Sequence, residues 1–312
     1  MSVLVWPLSL LFRAVASLRR RLYRNGMLTV VRLPVPVIIV GNITAGGTGK
    51  TPLVIHLVQI LRKAGYRPGV IARGYRGRAR HWPQAVSAGS DPSQVGDEPV
   101  LIALRGDCPV MVGPDRVAAA QALLASHDCN VLISDDGLQH YRLGRNIEIV
   151  VIDGLRRFGN GGFLPAGPLR EPLSRLAEAD AIVTHGGTPH RHDFAMQLRP
   201  GVFYNLTNPA QQLELTAFTQ RQVHAVAGIG HPARFFAALR ALGCVVQEHP
   251  FADHHPFAAS DIDFGDALPV IMTEKDAVKC RGFAGATVWV LQVEAELSAS
   301  FDQRVFALLA EC

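Results

Sequence analysis

Eight consecutive residues, Thr44-Ala45-Gly46-Gly47-Thr48-Gly49-Lys50-Thr51, have the composition of a cradle for ATP. Gly46, Gly47 and Gly49 let backbone N–H groups curl around phosphate oxygens with no Cβ in the way. Lys50 has the reach for the β- and γ-phosphates, and the Thr51 hydroxyl can ligate magnesium. The strict pattern G-x-x-x-x-G-K-[ST] asks for glycine where this chain has Thr44. The flanking sequence supplies the missing weight. Residues 36–40 are a short β-branched apolar run, as in a strand buried on both faces of a parallel sheet. From Thr51 onward, Leu53, Val54, Leu57, Val58, Ile60 and Leu61 recur at helical spacing until Gly65. Strand into loop and loop into helix is the context the motif requires, and it aims a helix N-terminus at the anion. The alternative is a glycine-rich turn with an incidental lysine.

Magnesium on such a loop also needs an acidic partner at the end of a neighbouring strand. Residues 131–137 (Val-Leu-Ile-Ser-Asp-Asp-Gly) form an apolar run closed by two carboxylates, at the strand end where α/β sheets place their ligands. Side chains alternate along a strand, so Asp135 and Asp136 are expected to point to different sides. That assigns Asp135 to magnesium or its bound water and Asp136 to the other side of the site. For Asp136 a plain Asp-Gly turn is the alternative.

The elements that hold these residues follow from the same periodicities. Further strands are expected at 69–72, 109–112, 147–152 and 181–184, with helices at 96–104 and 115–126. Interleaved strands and helices imply βαβ units and a mostly parallel sheet with helices on both faces. Residues 159–172, rich in Gly and Pro and aperiodic, read as a long functional loop. A second block begins near Arg199, with strands at 223–227, 245–249, 270–272 and 287–291 and helices at 232–242 and 275–280. It is expected to fold around its own smaller sheet. The chain is therefore read as α/β: a P-loop nucleotide-binding domain over 29–200, a smaller α/β domain over 201–312 closing over the site, and an amphipathic helix within 1–28.

Composition excludes several classes. With 312 residues, 48% hydrophobic and 18% charged, and no repeat or low-complexity tract, the chain is globular rather than disordered. Its net charge of +5 suits a phosphate-bearing partner. No helix-turn-helix, zinc-finger or aromatic RNA-binding signature accompanies that charge, so nucleic acid is not the expected partner. Five widely spaced cysteines without a C-x-x-C pair favour free thiols in a reducing cytosol. Residues 1–12 are uncharged and largely apolar, and Arg13, Arg19, Arg20, Arg21 and Arg24 follow. Twelve residues cannot span a bilayer core, and the charge order is the reverse of a signal peptide. As a helix, Leu8, Leu11, Phe12, Val15, Leu18 and Leu22 share a face. Such a helix can lie in the membrane interface with its arginines on anionic headgroups, or dock on the protein's own core.

A set of short segments carries a family resemblance. Gly41-Asn42-Ile43-Thr44 through Lys50-Thr51-Pro52, Arg73-Gly74-Tyr75, Gly96-Asp97-Glu98-Pro99 and Asp135-Asp136-Gly137-Leu138-Gln139-His140 occur in that order. Leu164-Pro165-Ala166-Gly167-Pro168-Leu169-Arg170-Glu171, Asp253-His254-His255 and Thr273-Glu274-Lys275-Asp276-Ala277 complete it. Together they resemble the tetraacyldisaccharide 4'-kinase family of the lipid A pathway in Gram-negative bacteria, including threonine at the first P-loop position. The resemblance implies transfer of the γ-phosphate of ATP to the 4'-hydroxyl of a tetraacyldisaccharide 1-phosphate. It also implies a peripheral enzyme on the cytoplasmic face of the inner membrane, which favours the interfacial reading of the N-terminal helix.

The resemblance extends to single residues. Asp97 matches the family's base for the attacking hydroxyl, and His254 matches the histidine that pairs with it. On residue type alone Asp97 reads as a helix cap and His254 or His255 as a residue in a surface turn. Glu98 is a further candidate for the metal shell. Arg116, Gln139, His140 and Arg170 are candidates for the transferring phosphate or the substrate's 1-phosphate, with Arg170 as a cis arginine for transition-state charge, and Glu171 is a further candidate for substrate binding. Residues 273–277 suggest no specific chemistry, and His190 with His192 reads as a solvated loop. Two other classes compete: a P-loop NTPase switch, against which stands the absence of an N-K-x-D segment, and a soluble small-molecule kinase, for which the N-terminal helix is only structural.

Overall fold

The computed structural model describes residues 5–312. The first four residues of the amphipathic segment 1–28 lie outside the described residues. The chain begins with α1 (Trp6–Arg24), then β1 (Val37–Gly41), α2 (Lys50–Lys63), β2 (Pro68–Ala72), β3 (Gln84–Val86), α3 (Pro92–Val95) and α4 (Asp97–Gly106). It continues through β4 (Val110–Val112), α5 (Arg116–Ser126), β5 (Val131–Asp135), β6 (Ile147–Asp153), β7 (Ala181–His185) and β8 (Phe194–Asn205). The last stretch holds β9 (Gln212–Leu213), β10 (Gln222–Ala227), α6 (Pro232–Ala241), β11 (Val245–Pro250), β12 (Val270–Thr273), α7 (Glu274–Cys280), β13 (Val288–Leu297) and α8 (Ala299–Ala310).

The strands form one sheet in the order β11-β10-β12-β13-β8-β7-β6-β1-β5-β2-β4-β3, with β9 paired to β8. Neighbours from β11 to β13 run parallel, and so do those from β8 to β4. The second block's strands thus form their own parallel group, and this group continues into the first through the antiparallel β13–β8 pair. β8 serves both sides: residues 194–196 pair with β7, and residues from Met196 onward pair with β13.

Burial explains the central strands. All five residues of β1 and of β5 are buried, because helices cover both faces of the sheet and a continuous apolar run fits nowhere else. On one face α2 contributes Leu53, Leu57 and Leu61, and α8 returns from the C-terminus to add Phe301, Val305 and Leu308. On the other face α5 contributes Val117, Ala120 and Leu123. At fully buried Leu57 or Phe301, truncation to alanine costs roughly 2–5 kcal/mol.

α1 is docked with its apolar side outward. Ser9, Phe12, Ala16, Arg20 and Tyr23 face the protein, whereas Trp6, Leu8, Leu10, Leu11, Val15 and Leu18 are each more than half exposed. The docking is largely polar: Ala166 N donates to Ser9 Oγ at 2.9 Å, and Arg20 pairs with Glu178. No helix among the described residues is long and apolar enough to cross a membrane.

Candidate active site

The loop between β1 and α2 takes the form its glycines allow. Its left-handed backbone angles fall at Gly46 (φ +96°) and Gly49 (φ +90°), so the threonine at position 44 meets no conformational penalty. A Cβ at Gly49 would stand 2.8 Å from His185 Nδ1. Buried Asn42 ties the loop together, its amide donating to Gly46 O and Thr48 Oγ1, both at 3.3 Å. Thr44 is buried and bridged to Leu169, and Ala45 N donates to Pro168 O at 2.8 Å. Thr44 and Ala45 therefore shape the loop from behind, whereas Gly46, Gly47, Thr48, Gly49, Lys50 and Thr51 line a cleft of about 1310 Å³.

β5 pairs directly with β1, setting Asp135 opposite Val40. The expected alternation of the two aspartates stops at the strand end. Asp136 adopts φ +49°, leaving extended geometry, so both carboxylates line the same cleft rather than opposite faces. Their surroundings differ instead. Asp136 lies 3.5 Å from Lys50 Nζ and accepts from Arg170 Nη1 at 3.1 Å. Burial pushes its pKa up, but Lys50 and Arg170 outweigh that and hold it below the usual carboxylate range. Asp135 is 3% exposed, and its Oδ1 has no hydrogen-bond partner. Burial, reinforced by the nearby Glu98 charge, raises its pKa from 3.8 to about 7. A buried carboxylate oxygen without a partner is the kind of orphan that a cation satisfies. Magnesium takes only one or two protein carboxylates beside phosphate and water, so Asp135 with Thr51 is a fitting donor set.

Across the cleft, Asp97 opens α4 and meets His254 from the second block, with Nδ1 2.9 Å from Oδ2. Burial works against the Asp97 charge, yet the His254 hydrogen bond and the charges of Lys275 and Lys279 hold its pKa below the ordinary value. His254 sits at φ +61°, its ring edge-on to Tyr75 and its carbonyl capped by Arg76. Lys275 reaches Glu98 Oε1 at 3.1 Å, Asp253 Oδ1 at 3.2 Å and His254 Nε2 at 3.2 Å.

The remaining candidates divide by what their polar atoms already do. Arg116 is buried in the cleft wall, its Nη1 donating to Gly113 O and its Nε without a partner. Burial lowers its pKa to about 10 against the pull of Asp136 and Asp135, which still leaves it charged. His140 is held neutral, its pKa lowered to about 4 by burial and by Arg116. Gln139 donates to Asn42 O and to Glu171 Oε1, and buried Glu171 also meets Arg175 at 3.4 Å. Both line the cleft, but these contacts brace the wall. His190 and His192 are exposed, away from this cleft.

The family model for tetraacyldisaccharide-1-P 4'-kinase matches residues 1–310. The chain belongs to the tetraacyldisaccharide 4'-kinase family. A tetraacyldisaccharide 4'-kinase of Nitrosococcus oceani is 53% identical, the match covering 99% of this chain and 90% of the relative. One from Alkalilimnicola ehrlichii is 55% identical over 97% and 91%. The solved structure of LpxK from Aquifex aeolicus in complex with ATP superposes with a TM-score of 0.83, at 29% identity and 98% coverage of both chains.

In this tetraacyldisaccharide 4'-kinase family member, sequence reasoning passes over a group on the far side of the P-loop. Asp153 ends β6, is 1% exposed, and accepts from Arg234 of α6 at 2.8 Å and from the backbone of Leu155 and Arg156. Burial opposes its charge, but these donors hold its pKa far below the carboxylate range. Arg156 in turn donates to Gly47 O. The signal that singles out Asp135, a carboxylate at the C-terminal end of an apolar strand, is present at Asp153 too. Lys275 carried no such signal, because its partners lie 177, 22 and 21 residues away.

Proposed function

We propose that the chain transfers the γ-phosphoryl group of ATP to the 4'-hydroxyl of a tetraacyldisaccharide 1-phosphate, giving the 1,4'-bisphosphate lipid IVA in lipid A biosynthesis. The observation that carries this reading is that one cleft, in a chain of this family, is lined by both Lys50 and the Asp97–His254 pair. A phosphate cradle alone serves any NTPase. A carboxylate kept ionised beside it, and oriented by a histidine, serves an acceptor hydroxyl.

In this reading Asp97 accepts the proton as the hydroxyl oxygen attacks, and His254 orients the carboxylate. Lys50 and Arg170 stabilise charge on the transferring group, with Asp136 holding both cations in place. Thr51 and Asp135, with Glu98 beside them, would hold magnesium, whose chemistry is to neutralise the β- and γ-phosphate oxygens. Arg116 and His140 offer donors to substrate phosphate, supported by Gln139 and Glu171. Residues 29–200 form the nucleotide-binding domain, and residues 201–312 form the smaller domain that brings His254 over the site. The outward apolar face of α1 contacts the cytoplasmic face of the inner membrane, where the acyl chains are.

Incubation with γ-labelled ATP and an acylated disaccharide 1-phosphate tests the reading. Label in a lipid bisphosphate is the expected result. Label released only as free phosphate, or transferred equally well to an unacylated sugar, would overturn it in favour of a switch or a soluble kinase.

A further inference from the structure

Charge is distributed very unevenly along this chain. Residues 1–90 hold fourteen lysines and arginines and not one acidic residue, which leaves seventeen basic against twenty-six acidic residues in the rest. Part of that excess lies on α1, and Lys50 belongs to the phosphate cradle. Arg62 and Arg67 are neutralised by Asp107 and Asp128. The loop from β2 to β3 differs from these. Within eight residues it carries Arg73, Arg76, Arg78 and Arg80, all exposed. Among the described residues none of the four is ion-paired to a carboxylate, unlike Arg62 and Arg67. The side chain of Arg76 donates to the carbonyls of Asp253 and His254, which carry no net charge.

The backbone beneath these side chains is fixed. Arg78 N donates to Ser93 O at 3.0 Å and Ala79 N to Gln94 O at 3.2 Å, which staples the loop to α3. A Cβ at Gly77 would stand 2.4 Å from Gln94 O, and one at Gly74 would stand 2.8 Å from the Trp82 ring. Like charges held close together on a fixed backbone repel, and a surface of opposite charge relieves them. The position of the loop says which surface. Arg73, Tyr75 and Arg76 line the same cleft that α1 lines with Phe12, Val15 and Arg19. Tyr75 is 52% exposed, an aromatic ring with a polar tip of the kind that sits where one end is apolar and the other wet.

We propose that the β2–β3 loop, residues 73–82, is a second membrane contact whose arginines bind anionic lipid headgroups. The proposal rests on the reading of α1 as the first contact. A single helix lying in the interface leaves the rest of the molecule free to roll about the helix axis. A second contact across the cleft stops the roll and holds the cleft mouth towards the bilayer. A nucleic acid would satisfy the same charges but would leave the apolar face of α1, on the same cleft, without a use.

Sedimentation of the full-length protein with vesicles tests this, using phosphatidylglycerol mixed with phosphatidylcholine beside phosphatidylcholine alone. The probe is Arg78→Gln with Arg80→Gln, two positions outside the cleft lining. Each arginine near an anionic surface strengthens binding several-fold, so the pair should weaken partition onto the mixed vesicles about tenfold to thirtyfold, and less at high salt. Binding to the neutral vesicles and turnover of detergent-dispersed substrate should stay at wild-type levels, while turnover of substrate embedded in the mixed vesicles falls. Arg78→Lys with Arg80→Lys should restore most of the binding. Lys63→Gln with Arg221→Gln removes the same charge from two other exposed positions outside the cleft and should change little. Wild-type partition in the Arg78/Arg80 glutamine variant, or an equal loss in the Lys63/Arg221 control, overturns the proposal. So does a variant that keeps its vesicle binding but loses retention of a single-stranded oligonucleotide, which would give the loop to nucleic acid. Failure of the α1 reading looks different: Leu11→Glu with Leu18→Glu then sediments like the wild type while the arginine variant does not.

Discussion

Asp135→Asn removes a buried carboxylate whose charge the apo protein works against. The wild-type pKa rises from 3.8 to about 7 because the side chain is buried and faces Glu98. An acid with a raised pKa binds more protons folded than unfolded, so the protein is fully stable with respect to this group below pH 3.8. It loses stability as pH rises towards 7, above which the whole penalty is present. At about 1.4 kcal/mol per pH unit, the gap between 3.8 and about 7 amounts to on the order of 4 kcal/mol. Under half of it is already present at pH 5, which leaves on the order of 2 kcal/mol to develop between pH 5 and pH 8. The asparagine has the same shape and does not titrate. Urea unfolding without magnesium or nucleotide, followed by tryptophan fluorescence, measures the difference between variant and wild type at both pH values. The variant's relative stability should grow by that amount towards pH 8, while its turnover is lost. A difference independent of pH, or a wild type that gains on the variant as pH rises, would refute the account of Asp135 as a site kept unsatisfied for a cation.

Asp97→Ala and His254→Ala should each lower kcat by about 10²–10⁴ while leaving ATP binding nearly intact, as equilibrium nucleotide titration beside steady-state kinetics would reveal; near-normal turnover in Asp97→Ala removes it as the base. Gly49→Ala forces a Cβ towards His185 in a left-handed conformation that costs about 1–2 kcal/mol, so the KM for ATP should rise about tenfold or more. Leu11→Glu with Leu18→Glu should abolish sedimentation with anionic vesicles yet spare activity on detergent-dispersed substrate, and unchanged sedimentation would remove α1 from the membrane.

The parts legible in the sequence are those set by local periodicity. β1, α2 and β5 fall within a residue or two of their expected bounds, because a strand buried on both faces must be continuously apolar. β8 escapes that criterion. It is only partly buried, it carries Pro200 and Gly201, and its register against β13 shifts where Pro200 faces Val293. α8 has legible spacing in Phe301, Val305, Leu308 and Leu309, and a reading that stops at residue 291 omits it. Strand alternation misjudged Asp136, since the chain turns at that residue. The contacts of Lys275 and of Asp153 with Arg234 join distant segments, and no local pattern encodes them.

The Gly/Pro loop of residues 159–172 is attached on both sides. On its outer side Phe163 lies under Arg13 and Ala166 bonds to Ser9 of α1; on its inner side Pro168 bonds to Ala45 and Arg170 N donates to Ile43 O. Fewer than ten residues of one loop therefore link the helix with the outward apolar face to the phosphate cradle. On the proposed reading, with α1 in the acyl boundary, that loop would act as a ruler, setting the height of the γ-phosphate above the bilayer plane. An acceptor would then be chosen partly by how far its hydroxyl stands from its own acyl chains, and lengthening the loop would retune that choice without touching a catalytic group.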